Sequence, residues 1–551
     1  GDCEFDAVTV SSGDTLDLSG QRMYASGLLT ISGDNGLKNT TDGSTQDTVA
    51  HLIPNGIIAS TTTHHASLSN VVYIADQGTS SHKIEYFDFG TFASTRDGNL
   101  GFGRYGPDSS STNVILANNG TMTNWGRTGS VANANSMNNL TIATGATAVP
   151  ESATLTVAGD FTTSGGLLGP SCAEFNGVDE YAQTSLIGQW GGMHDALSIE
   201  FWFKTSFNGS STLIDFDNAA NNNNRIQVLQ SASEMAVKLY NSSGSSFQLG
   251  TTAFTVNPDD GKWHHLAYTN SGSEQKIYYD GRLAGTSSHT IDRDDDPSMK
   301  LTVGKHRTLG GNYNGFMEEL RFFADVRTPD EIRSNMFVNV HGDISGNALV
   351  ARYGFNEGTS TAIDNSQGTT SRDLVASGDG IWPAAGTFTY GTSTLVMAKS
   401  GSQKIFTAAG EVIYAFTVNA GSTTDIECVG SDSGSPFMPT HNVTINGTLS
   451  STSVPLYMTN DFVSNGGAFA FGGSADLTGL NSIRCVHTSG TINLPACTTQ
   501  RVLVQGSGGT VQATGDITAS TELEVNSGAT FNANGNTIAV KTVDINGGTL
   551  D

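Results

Sequence analysis

Hydrolysis of a glycosidic bond needs two carboxylates about 5–9.5 Å apart on either side of it, so acids sharing a strand face are weighed first. Asp215 and Asp217 alternate within STLIDFDN and point to one side, but no third acid follows and no Glu-x-Asp-x-x-Glu run occurs. Glu318 and Glu319 are adjacent, which on a strand sends them to opposite faces. His264-His265 and His64-His65 diverge in the same way, so neither pair can chelate one ion and a structural role is expected for both. Asp476, Asp516, Glu522 and Asp544 stand singly at turns and strand ends. The cysteines are Cys3, Cys172, Cys428, Cys485 and Cys497; their spacing fits no zinc or redox motif, and an odd count cannot pair fully. Buried free thiols are one reading of them, and a Cys485–Cys497 bridge between neighbouring strands is the other. No catalytic constellation emerges, and the chain is expected not to be an enzyme.

Sugar recognition asks for less: an accessible ring to lie on a pyranose face, with amides beside it to bond hydroxyls. Trp190, Tyr240, Tyr278 and Tyr313 are the candidates. Asn312 and Asn314 flank Tyr313 in a turn-like Asn-Tyr-Asn-Gly stretch, which would hold that ring on a loop. The competing reading is that these rings fill a core.

Composition limits what could carry such sites. The 551 residues contain 66 Gly but only 12 Pro, with 37% hydrophobic and 14% charged residues. The excess lies in Gly, Ser, Thr, Asn and Ala, broken every few residues by short Val/Ile/Leu/Phe alternations. This is the pattern of many short strands and tight turns, so an all-β protein is expected. A formal charge of −26 repels polyanions, which excludes a nucleic-acid partner and favours neutral over anionic glycans. No apolar run approaches the ~18 residues of a membrane helix, so membrane insertion is not expected.

Four regions divide the chain. Residues 1–165 form an N-terminal β-rich repeat region, 170–345 a compact sandwich, 346–435 closing strands with a second copy of the N-terminal module, and 436–551 solenoid-like repeats. The shared module rests on SSTNVILANNG (110–120) against TSTLVMAKSG (392–401), and on NNLTIATGAT (138–147) against YAFTVNAGST (414–423). The second pair matches Leu140 with Phe416. In the last region, strand alternations closed by Asn-Gly, Ser-Gly or Gly-Gly suit a β-solenoid whose turns stack apolar residues into columns. The last of them breaks off part-way, so the protein is expected to continue past Asp551. Within the middle region, Asp280-Gly281 predicts a tight primed hairpin turn, and Thr328, Pro329 and Glu331 predict a helix opened by a capping box.

FNGVDEYAQ (175–183), SIEFWFK (198–204), GKWHHLAYT (261–269), KIYYDGRLAG (276–285) and LTVGKH…YNGFMEELRFFADVRTPDEIRSN (301–335) follow in order. Together they resemble the laminin-G-like, concanavalin-A-like jelly roll, which implies an antiparallel sandwich. ARYGFNEGTSTAIDNSQG (351–368) resembles the segment that usually opens such a domain, yet here it follows the others. Either the strand order is permuted, the favoured reading, or a second, incomplete copy begins there. The resemblance also implies one structural Ca²⁺, which wants six to eight oxygens; Asn176, Asp179 and Glu318 lie at family-like positions. The run Asp292-Arg293-Asp294-Asp295-Asp296 is a second candidate, although such runs are usually solvated.

The flanks resemble, in texture, the strand repeats of phage virion proteins and bacterial surface adhesins. The implied function is that of a non-enzymatic phage structural protein at the virion surface. It would be a tail- or capsid-attached fibre, appendage or decoration, with other virion subunits as partners and a jelly roll that binds host-surface glycans. Fibrous virion proteins are commonly homo-trimers, although no coiled-coil heptad here supports that state. The alternative is a bacterial or archaeal cell-surface adhesin or filament protein; a glycan-degrading tailspike enzyme comes third.

Overall fold

The computed structural model describes residues 139–551 except for short stretches, the longest being 337–348, and, before residue 139, mainly a set of strands between Cys3 and Met137. His64, His65, Asp292, Asp294, Asp295, Asp296 and Asp476 lie outside the described residues, as does the side chain of Cys3. With 57% strand and 3% helix the chain is all-β, and it divides into two units: residues 1–165 with 385–551, and residues 166–384.

The first unit is a β-solenoid of about 16 turns. Many of its strands are short, carrying two or three inward apolar residues before a turn. Thr394–Met397 and Val443–Ile445, for instance, bury every second side chain. Successive turns pair in parallel and in register, so Leu155, Leu395, Phe416, Val443 and Phe469 form one column. All five are buried, and each such side chain contributes roughly 1.5–3 kcal/mol by leaving water. Leu140–Phe161 and Leu395–Phe416 are successive partners separated by the same interval of chain, which sets the size of a turn.

Leu155 and Leu395 are partners too, although the whole of the second unit lies between them in the chain. Removing residues 166–384 leaves between Leu155 and Leu395 the same interval that separates Leu395 from Phe416, one ordinary turn. The second unit is therefore an insertion within a single turn, and the N–H of Gly386 donates to the Thr163 carbonyl (2.9 Å) where the solenoid resumes. The flanks are thus one continuous solenoid, not two modules. Leu140 and Phe416 share its core, but Leu140 lies in the sheet of Phe161 and Ile405 while Phe416 lies in the sheet of Leu155. Matching them in sequence slips by one face, because every face carries the same alternation.

The second unit is the antiparallel jelly roll. Its strands are β1 (Ala173–Asn176), β2 (Tyr181–Thr184), β3 (Leu197–Lys204), β4 (Ser211–Asn218), β5 (Ile226–Ser231), β6 (Glu234–Tyr240), β7 (Ser246–Gly250) and β8 (Trp263–Asn270). β9 (Gln275–Tyr279), β10 (Arg282–Ser287), β11 (Met299–Val303) and β12 (Asn314–Phe323) follow, then helix α1 (Pro329–Asn335), β13 (Leu349–Tyr353), β14 (Ala362–Ile363) and β15 (Leu374–Ser377). One sheet runs β1-β12-β3-β8-β9-β10, with β13 also on β12; the other runs β7-β6-β5-β4-β11-β2-β15-β14. Between them pack Ile199, Phe201, Phe216, Leu301, Phe322 and Tyr353.

The sandwich exceeds the expected 170–345 because β13 and β15 complete its two sheets, on β12 and β2. The 351–368 segment thus closes one permuted sandwich and begins no second copy; within 346–435, the residues up to 384 belong to it and the rest to the solenoid. The local signals hold: Asp280 and Gly281 take φ of 51° and 77°, and Thr328 and Glu331 form the capping box of α1.

Glu318 and Glu319 depart from expectation. Glu319 has φ +54° at a β-bulge against β3, and the extra residue cancels the alternation. Both carboxylates end on the side of Glu200, Trp202 and Arg321. Arg321 Nη2 donates to Glu319 Oε2 (2.8 Å), Arg352 Nε to the same oxygen (2.9 Å), and Arg327 Nε to Glu200 Oε1 (3.3 Å). Despite burial, Arg321 and Arg352 hold Glu319 below its ordinary value.

This packing makes two outcomes testable. A chain in which Gly165 is joined to Ala385 should keep its β circular dichroism, while 166–384 alone should unfold cooperatively; loss of either fold would contradict insertion within one turn. The second concerns His265, buried beside Glu200 and Trp202, where burial and then Arg321 push its pKa down to about 3. It stays neutral when folded but titrates near 6.5 when unfolded. Its stabilisation is therefore complete above that pH and declines as pH falls toward 3, by about 2 kcal/mol at pH 5. Urea melts at pH 7 and 5 should show His265→Leu losing that much less of the jelly roll's stability than the parent; equal losses would refute it.

Candidate functional site

Strand β4 turns Ile214 and Phe216 into the core, so Asp215 and Asp217 face outward. Both are nevertheless fully buried, because the segment after β11 folds over this outer face. The backbone N–H of Arg307 donates to Asp215 Oδ2 (2.9 Å) and its Nε to Asp217 Oδ2 (2.5 Å). From the turn before β5, Arg225 Nε donates to Asp215 Oδ1 (2.6 Å), and its Nη2 lies 2.7 Å from His306 Nε2. Burial and then Asp215 raise Asp217 to about 6, while burial and then Arg225 lower His306 below its ordinary value. The two acids that share a strand face are thus arginine-bound anchors for the loop.

Beside this anchor lies a cleft of about 450 Å³, lined by Val178, Asp179, Tyr181, Lys305, Asn312 and Ser377 among others. One wall is the turn after β1. Asn176 Oδ1 accepts from the N–H of Val178 (2.8 Å), Asp179 (3.1 Å) and Glu180 (3.3 Å), and its Nδ2 donates to Asp179 Oδ1 (2.8 Å). Gly177 is required there: at φ +74°, a Cβ would come within 2.8 Å of Asn314 Cβ. Asn312 Nδ2 donates to the Val178 carbonyl and ties this turn to the loop. On the floor, Lys305 Nζ sits 3.1 Å from the centroid of the Tyr181 ring, and the hydrogen bond to Ser377 leads the causes that lower the Tyr181 hydroxyl pKa. The cleft offers a ring, an amide, a hydroxyl, an ammonium and a carboxylate.

Of the expected site residues, Asp179 and Asn312 line this cleft and Asn176 shapes it; Asn314 is exposed on the strand paired with Asn176. Tyr313 is not on the surface. Its ring packs on Phe175, and its hydroxyl points to the carbonyls of Lys204 (2.9 Å) and Phe316 (3.0 Å). Trp190 is also interior, edge-on to Phe216 and Phe322 with centroids 4.8 and 5.5 Å away. Tyr278 is buried, and Tyr240 is half-buried with Lys238 over its ring. A turn-like sequence shows where the backbone bends, not which way its ring goes. His264 Nδ1 lies 2.8 Å from Asp280 Oδ2 in a structural contact. Cys172, Cys428, Cys485 and Cys497 form no disulfide among the described residues, and burial pushes Cys485 and Cys497 up to about 12.

The implied calcium ligands do not converge. Glu318 lies further along β12 than Asn314, the partner of Asn176, and its oxygens accept from Leu167 (2.5 Å), Leu168 (2.8 Å) and Gly169 (2.6 Å). Burial and then Glu319 raise it to about 8, against those three donors. A carboxylate so engaged does not fit a calcium shell, and among the described residues no three His, Cys, Asp or Glu side chains group to hold a metal. Sequence reasoning passed over Tyr181, Lys305 and Ser377. Alternation exposes Tyr181 once Ala182 faces the core, but Ser377 reaches it only through the β2–β15 pairing.

Residues 176–333 match the Laminin_G_3 family, described as the concanavalin A-like lectin/glucanases superfamily. No curated protein matches the chain. A putative carbohydrate binding protein from Bacteroides ovatus is 14% identical with a TM-score of 0.29, over 38% of this chain and 58% of that one. The heptameric SAP-like pentraxin of Limulus polyphemus is 11% identical with a TM-score of 0.27, over 38% and 94%. The CBM40 of Ruminococcus gnavus IT-sialidase, bound to α2,3 sialyllactose, is 15% identical with a TM-score of 0.24, over 30% and 95%. By its motifs, its strand order and this family match, the inserted unit is a laminin-G-like, concanavalin-A-like jelly roll.

Proposed function

We propose that the chain is a non-enzymatic structural protein of a phage virion surface, whose solenoid supplies reach and whose jelly roll binds glycans in the Tyr181–Lys305 cleft. The observation that carries the binding role is that cleft. Its volume of about 450 Å³ falls in the usual range for ligand sites, and its polar groups suit sugar hydroxyls. The arginine contacts of Asp215 and Asp217 support the non-enzymatic part, since they commit both carboxylates to holding the loop. The virion assignment rests on the pairing of a lectin-type insert with a Gly/Thr/Asn-rich solenoid. Antibody labelling of source particles under the electron microscope tests it, and label on cells instead of particles would replace it with the adhesin reading.

Binding is tested on a glycan array with the full chain. The parent should bind, while Tyr181→Ala and Lys305→Ala should each lose about tenfold in affinity with unchanged circular dichroism. Absence of binding to any glycan would overturn the proposal.

A further inference from the structure

A second cleft, of about 280 Å³, lies on the same outer face, with Ser211, Thr212, Gln230, Ser231, Glu234 and Gln248 in its lining. It belongs to the same end of the sheet as the first. Ser211 opens β4, Ser231 closes β5, Glu234 opens β6, Tyr181 opens β2 and Ser377 closes β15. Met235, Val237 and Ala182 face the core, so Glu234, Ala236 and Tyr181 point outward together.

What separates the clefts is a narrow piece of the anchored loop. Gly310 lines the first cleft and Gly311 the second, and the Thr212 N–H holds this point by donating to the Gly311 carbonyl (2.9 Å). Neither glycine carries a side chain, and a Cβ at Gly310 would stand in open space. The divide at this point is a backbone saddle with no side chain rising from it. From β7 to β15 the two clefts cross seven adjacent strands, a span of roughly 30 Å at ~4.8 Å per strand.

The charges along this path offset one another. In the first cleft Lys305 is balanced by Asp179, Arg307 is paired with Asp217, and His306 is lowered below its ordinary pKa. In the second, Glu234 is the one ionisable side chain of a lining that mixes hydroxyls and amides with Leu229 and Ala236.

We infer that the two clefts are one groove that takes an internal stretch of a linear, neutral polysaccharide lying across the Gly310–Gly311 saddle, with the Tyr181 cleft holding its first units. This rests on the glycan-binding reading above and specifies its ligand class. A ligand confined to one cleft would gain nothing from added sugar units, whereas one that crosses the saddle gains contacts until the groove is filled.

The test is calorimetry on the full chain with neutral oligosaccharide ladders (gluco-, xylo-, manno- and arabino-oligosaccharides) from two to six units. For the series that binds, affinity should rise about tenfold from two to six units. Gln248→Ala, at an exposed position in the far cleft, should lower affinity for six units several-fold and leave that for two units unchanged; Tyr181→Ala should lower both. Equal affinity for two and six units, or no effect of Gln248→Ala on the longest chain, would overturn the extended groove and leave single-cleft glycan binding standing. If array and ladders both show no binding, the glycan-binding reading fails, and this inference with it.

Discussion

Parallel, in-register stacking is the constraint on which the rest of this structure depends. Each solenoid turn must return one strand spacing along the stack with its apolar residues over those of the turn before, or the buried column breaks. An insertion is compatible with that only if it leaves and re-enters the turn at neighbouring points. The Gly386–Thr163 hydrogen bond is that junction, and the single turn's length left between Leu155 and Leu395 once the insert is set aside is its consequence. The jelly roll meets the same requirement from its own side, since the Glu174 N–H on β1 donates to the Ile381 carbonyl near its other end (2.6 Å). A sandwich whose ends are bonded together can be placed within a turn without disturbing the columns.

The late position of β13 and β15 in the chain is compatible with this requirement. In an antiparallel sheet a strand is placed by its partner and not by its turn in the chain, so β13 and β15 can come last and still lie beside β12 and β2. The linker into the sandwich is held in turn by Glu318, whose carboxylate accepts three consecutive N–H groups. That arrangement exists because the bulge at Glu319 carries both acids to one side of the sheet.

On the opposite sheet, the loop after β11 exists in its folded position because of charge. Ion pairs buried this fully contribute little net stability, since desolvation offsets most of the attraction. They do specify one geometry: Asp215 and Asp217 accept from Arg225 and Arg307 only if the loop lies across the sheet. The position of that loop creates a cleft on either side of it. The surface that carries the two clefts is therefore a product of buried electrostatics more than of apolar packing.

Much of the fold was legible from residue spacing alone. Alternation and Gly/Asn turns gave an all-β chain with a solenoid, five ordered motifs gave the sandwich, and Asp280-Gly281 and Thr328–Glu331 gave a turn and a helix start that the structure reproduces. These are local properties, in which backbone conformation is dictated by neighbours a few residues away. The site was not local. Alternation assigns a residue to one of two faces but does not say which face is covered, so Tyr313 and Trp190 stood open as surface or core rings and are core. A single residue in left-handed geometry at Glu319 reversed the face of the acid beside it. Tyr181 meets Ser377, and Asp217 meets Arg307, with several strands of chain between the members of each pair. Spacing determined which strands form; only their pairing decided which side chains share a cleft, because burial and charge compensation are set by partners that sequence distance does not reveal.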